Sequence, residues 1–209
     1  MELDELIELI EIISNGEIEK ANEISFSNVL DLTSAMNREI FIGAIVPGLG
    51  KDVDQVIRYW NNYDDAKEIP VECREPIKIY IDSLGGDLIE TFTMIDSISM
   101  SKTPVWTICT GAAYSGGFFT FIAGHKRFAY PLSSFLYHEG STGTSGDASK
   151  FRNFAAFYEK QMKQLKGVVL KYTTIDEDTY EKHIKDDWWF TAEEALEYGI
   201  CDEISKELI

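Results

Sequence analysis

Apolar and polar positions along this chain follow two periods. Leu3, Leu6, Ile7, Ile10 and Ile13 recur at helical spacing with Glu and Asp between them, which predicts an acidic amphipathic helix within residues 1–25, broken at Asn15-Gly16. From Arg38 the period shortens. Glu39 to Gly43 reads as a strand, and Pro47-Gly-Leu-Gly50 as a turn. Helical spacing follows from Asp52 to Tyr63, carried by Val53, Val56, Ile57 and Trp60, and then a polar connection runs to Pro76. Ile77 to Ile81 is a β run, Leu88 to Met100 a helix and Val105 to Cys109 another β run. Phe118 to Ala123 reads as helix, Lys126 to Ala129 and Ser134 to Tyr137 as short strands, and Ala148 to Thr173 as one long helix. Strands alternating with helices predict an α/β fold with largely parallel strands, in which reactive groups gather at the carboxyl ends of strands.

At 209 residues, 44% apolar and 12% aromatic, the chain suits one packed domain, residues 26–209, with residues 1–25 as an appendage. Its formal net charge of −17 disfavours nucleic acid and anionic membranes as partners, because both are bound through clustered Lys and Arg. Cys73, Cys109 and Cys201 are widely spaced and lack a CxxC or Cys/His metal pattern, so reduced thiols are expected. The acidic start, Met1-Glu-Leu-Asp-Glu5, has the wrong charge for a secretory signal, and no apolar run reaches membrane-spanning length. The expected compartment is the cytoplasm.

The chemistry concentrates at three strand ends. Thr110-Gly-Ala-Ala-Tyr-Ser-Gly-Gly117 follows the run Val105–Cys109, so Ser115 falls on a strand-to-helix turn without bulky neighbours, where a hydroxyl can face a cleft. Gly85-Gly86 ends the preceding strand, and its amides can point at the same cleft to hold a developing oxyanion. A phosphate cradle fits less well, since Ser83-Leu-Gly-Gly-Asp87 lacks the P-loop Lys and carries an acid where the phosphate would lie. Three histidines compete as general base. His138 closes a β run at the carboxyl edge, whereas His125 lies in a basic turn and His183 in a charged helical stretch. An acid to orient the imidazole could be Asp186 or Asp187, just before the aromatic Trp188-Trp-Phe190, and spacing alone does not separate them. Thr191 with Glu194 reads as a helix-capping box.

Four blocks, Ile79–Gly86, Ile108–Gly117, Leu136–His138 and Asp187–Asp202, resemble in that order the proteolytic subunit of the Clp protease. The resemblance covers roughly residues 37 to 205. It implies a ClpP/crotonase-type α/β spiral of ββα units in which Ala148 to Thr173 is a protruding handle helix joining two stacked rings. It further implies a serine endopeptidase with Ser115 as nucleophile, His138 as base and Asp187 as orienting acid, and with the Gly86 and Gly116 amides as oxyanion hole. No metal or organic cofactor is implied. The implied partners are peptides or unfolded protein, further copies of the chain in a homo-oligomer, and an AAA+ unfoldase. Glu139-Gly140 departs from the usual Gln-Pro, Leu84 replaces a proline, and Tyr114 and Gly116 flank Ser115 where a small residue and a methionine are usual. These departures bear on the shape of the substrate pocket. Two alternative readings are a catalytically idle structural subunit of such a ring and a crotonase-fold acyl-CoA enzyme.

Overall fold

The computed structural model describes residues 34–209, so the helix expected within residues 1–25 lies outside the described residues. Residues Arg38–Ile209 form one unit around a seven-stranded sheet. Its strands are β1 (Glu39–Ile42), β2 (Ile77–Ser83), β3 (Val105–Tyr114), β4 (Lys126–Ala129), β5 (Ser134–Tyr137), β6 (Trp188–Thr191) and β7 (Glu203–Ile204). The order β1-β2-β3-β4-β7 is parallel throughout; β5 pairs parallel with β3, and β6 closes antiparallel on β5. The expected α/β class with parallel strands is the observed one. Between the strands lie α1 (Leu49–Ala66), α2 (Leu88–Met100), α3 (Gly116–Ile122), α4 (Ala148–Tyr172), α5 (Glu177–His183) and α6 (Ala192–Glu197).

The β2 sequence shows why the helices take one face. Ile77, Ile79 and Ile81 are fully buried in the main core, as strict alternation requires, together with Val53 and Ile57 of α1 and Met94 and Ile98 of α2. Each such aliphatic side chain contributes about 1.5–3 kcal/mol on leaving water. Tyr80 points the opposite way. With Ile108 and Phe128 it forms a second, smaller cluster, on which the exposed Phe41 stacks at 4.8 Å between ring centroids.

Three expectations are corrected. The helix expected over Asp52–Tyr63, α1, runs to Ala66, and the polar connection after it contains a short 3-10 turn, Val71–Cys73. Asp64 is responsible: its buried carboxylate accepts from Arg38 (2.9 Å) and from the Thr103 hydroxyl (2.8 Å), which makes an apparently polar helix end part of the core. The strand β3 does not stop at Cys109 but continues through the small residues to Tyr114. Its first half pairs with β4 and its second half with β5, and the small residues allow this because Gly111 packs where a Cβ would meet the Asp82 carboxylate at 2.5 Å. Finally, Trp188–Thr191, which precedes the capping box, is itself a strand; Thr191 then accepts from the Glu194 amide and the Glu194 carboxylate from the Thr191 amide, as that motif requires.

Cys109 and Cys201 are buried, and burial pushes their thiols up to about 12 and about 11, so they pack as small apolar groups; Cys73 is exposed. Among the described residues, no helix is long and apolar enough to cross a membrane.

Candidate active site

Parallel strands deliver their carboxyl ends to one edge of the sheet. β2 therefore ends at Gly85-Gly86, β3 at Ser115 and β5 at His138 on the same side, while antiparallel β6 brings its amino end, after Asp187, to that side too. The Ser115 amide donates to the Leu136 carbonyl at 2.9 Å, which extends the β3–β5 ladder and fixes the serine two residues from His138 along β5.

Ser115 has φ 52° and ψ −119°, a conformation that glycine adopts freely and other residues adopt at a cost of order 1–3 kcal/mol. The turn is forced by its neighbours. Gly85, at φ 98°, packs so closely that a Cβ there would lie 2.8 Å from both the Ser115 Cβ and the Tyr114 carbonyl. Gly86, at φ 150°, lies against the Ile45 carbonyl, where any side chain would collide. Around this bend the Ile45 amide donates to Gly85 and the Asp87 amide to Ile45, and the Ser83 hydroxyl accepts from the Gly85 amide. The Gly86 and Gly116 amides have no hydrogen-bond partner among the described residues.

A cavity of about 490 Å³ is lined by Ser115, His138, Gly86 and Gly116. Its apolar wall comes from Leu84, Leu88, Phe119, Met162 and Leu165, and Thr91, Gly140 and Tyr158 complete much of the remainder. The pairing Met162–Leu165 is the helical i, i+3 repeat on α4, so those wall residues were visible as an apolar stripe; Leu88, Thr91 and Phe119 carried no signal beyond helix packing. Tyr114 is not part of this lining. Its hydroxyl lies 2.7 Å from that of Ser134 and its ring meets Trp189 edge-on at 5.0 Å, so it faces across β5 and β6. Successive strand residues point to opposite faces, which is why the large residue beside Ser115 leaves the cavity open.

The three histidines are placed differently. His125 Nδ1 accepts from the Val105 amide at 2.9 Å, at the start of β3 and away from the cavity; the ring stands neutral there, and burial lowers its pKa. His183 stacks on Trp188 at 4.2 Å and lies 3.9 Å from the Asp186 carboxylate. Of the three, only His138 lines the cavity. The last pair of the β5–β6 ladder is Tyr137 with Trp188. The ladder stops short of His138 and Asp187; continued by one step on each side, its register would bring these two opposite each other, whereas Asp186 lies beside His183. Asp187 is exposed, and no hydrogen bond joins Ser115, His138 and Asp187 among the described residues.

A cleft at the carboxyl ends of parallel strands, with a serine on a strained turn beside a histidine and free amides, has the features of a hydrolase site. The family model for Clp protease matches residues 70–207. The ATP-dependent Clp protease proteolytic subunit 2 of Treponema denticola is 35% identical over 138 residues, 65% of this chain and 69% of that protein. The chain belongs to the Clp protease family, and is a peptidase of that type.

Proposed function

We propose that this chain is a serine endopeptidase working through Ser115, His138 and Asp187. The observation that carries this reading is the convergence of the strained Ser115, His138 and the unpaired Gly86 and Gly116 amides on one cavity. In the proposed cycle His138 takes the Ser115 hydroxyl proton as Oγ bonds to the substrate carbonyl carbon. The Gly86 and Gly116 amides donate to the oxyanion. The carbon–nitrogen bond then breaks, His138 returns its proton to the departing amine, and water repeats the sequence to release the acid. Asp187 holds the imidazole in the tautomer that leaves Nε2 free as base. The apolar wall of Leu88, Phe119, Met162 and Leu165 would receive a substrate side chain.

The substrates would be peptides or unfolded protein, the assembly a stacked-ring homo-oligomer with the sites facing a chamber, and the compartment the cytoplasm. Phe151 and Phe157 on the first half of α4 are 58% and 56% exposed, which fits a handle helix whose apolar residues are covered by another copy. An ATP-driven unfoldase as partner is supported by the Treponema relative, a subunit of a protease named as ATP-dependent.

The test is labelling of the assembled protein by a serine-reactive fluorophosphonate, wild type against Ser115→Ala. Labelling confined to the wild type, with parallel loss of peptide hydrolysis, is expected. Equal labelling of both proteins, or none of either, would refute the serine mechanism and leave the idle-subunit reading.

A further inference from the structure

His138 stands at the junction of a well-held strand and a loosely held loop. On its amino side Tyr137 is paired in the β5–β6 ladder and packed among Phe118, Phe119 and Tyr180. On its carboxyl side residues 139–146 have no regular structure, and seven of the eight, all but Gly140, are exposed. Among the described residues a single hydrogen bond ties this loop to the rest of the chain: the Tyr158 hydroxyl of α4 donates to the Gly140 carbonyl at 3.0 Å.

Three further observations give that bond a role. Tyr158 and Gly140 both line the cavity that holds Ser115 and His138. The same two residues, with Met162, also line a second cavity of about 440 Å³ that is walled by Glu139, Lys163, Lys166 and Glu181, so the bonded pair forms part of the partition between them. The phenol is held in its donor form, since burial and the nearby Glu139 carboxylate raise its pKa, and its ring stacks on Phe154 at 6.4 Å one turn earlier. A half-buried, stacked ring has few alternative rotamers, so the donor is fixed in space before the loop meets it.

We propose that Tyr158 is a positioning residue for the reaction: its bond to Gly140 pins the chain two residues beyond His138 to α4 and so keeps the imidazole in the cavity beside Ser115. The proposal rests on the serine-peptidase reading above. Without the bond, His138 is held only from its amino side, by the ladder that ends at Tyr137, and the imidazole spends less time within reach of the serine hydroxyl. A side chain acting this way changes the rate of proton transfer and leaves substrate affinity almost untouched.

The experiment compares wild type with Tyr158→Phe, which keeps the ring and removes the donor. At equal assembly state and melting temperature, Tyr158→Phe should be labelled by a small fluorophosphonate roughly three- to tenfold more slowly, as expected for loss of about one neutral hydrogen bond. Peptide hydrolysis should show the same fall in kcat with KM nearly unchanged. Equal labelling rates, or a raised KM with unchanged kcat, would overturn the positioning role. If the wild type itself is not labelled, the serine reading fails first, and the two failures are thereby told apart. A second variant guards against misfolding of the first: 3,5-difluorotyrosine at position 158 has a more acidic phenol than tyrosine, so even with the upward push of burial and Glu139 it ionises at lower pH than the native ring and ceases to donate without any loss of volume. Its labelling rate should fall relative to wild type as pH rises through that ionisation, and parallel pH profiles would overturn the proposal.

Discussion

Ser115→Gly should make this protein more stable than Ser115→Ala, although both lack the hydroxyl of the proposed nucleophile. The reason lies in the backbone: at φ 52° and ψ −119° a residue with a Cβ is strained by about 1–3 kcal/mol, and glycine is not. Alanine keeps a Cβ at this positive φ, so it relieves none of the strain. Against the gain stands the greater freedom of glycine in the unfolded chain, which costs about 0.4–1 kcal/mol. The net advantage of glycine over alanine is therefore about 1 kcal/mol, or about 2–4 °C in Tm for a chain of this size. Urea unfolding and thermal melts, run at one protein concentration because assembly shifts the apparent stability, measure the difference. If glycine proves equal to or less stable than alanine, the bend at Ser115 carries no strain and the argument that the fold holds the serine in a costly conformation is wrong.

Three other outcomes are expected. Asp187→Asn should lower kcat by about 10²- to 10⁴-fold while Asp186→Asn leaves it within a fewfold of wild type, because the β5–β6 register, continued one step past Tyr137 and Trp188, would pair His138 with Asp187 and not Asp186; equal effects in a peptidase assay would refute the proposed assignment. Asp64→Asn should cost about 3 kcal/mol in urea unfolding, since it leaves the buried Arg38 guanidinium with only the exposed Glu75 carboxylate, 3.9 Å away. Arg38 also holds the Asp64 carboxyl below its ordinary value of 3.8, so this contribution is complete above that pH and is lost as pH falls through the lower folded value; an unchanged midpoint at pH 7 would contradict it. His125 must be neutral to accept from Val105, and burial lowers its pKa below the ordinary 6.5. The unfolded chain then binds the proton more readily, so wild type should lose stability as pH falls from about 7 to 5 by more than His125→Gln does; identical pH dependences would exclude the role.

Much of the site was legible as positions. Ser115, Gly86 and His138 each end a β run, and parallel strands leave no choice about which edge those ends share. The length of β3 was not legible, because Thr110 to Tyr114 are small or turn-prone by type and become strand only through their partners Ser83 and Ser134 to Leu136. Nor was the direction of Tyr114, which depends on the parity of β3 up to the bend. Trp188–Thr191 reads as an aromatic cluster ahead of a cap and becomes a strand only because β5 has a free edge for it.

What the chain determined by itself was its alternation of periods, and with it an α/β sheet, its helices and the strand ends at which Ser115, His138 and the Gly85-Gly86 pair stand. These follow from local rules that act within a few residues. What only the tertiary structure decided were relations between residues far apart: His138 in the cavity with His125 and His183 engaged elsewhere, the β5–β6 pairing that ends at Tyr137 and Trp188, and the Tyr158 hydroxyl on the Gly140 carbonyl of the loop. Register and packing are set by the whole set of neighbours at once, and no window along the chain contains them.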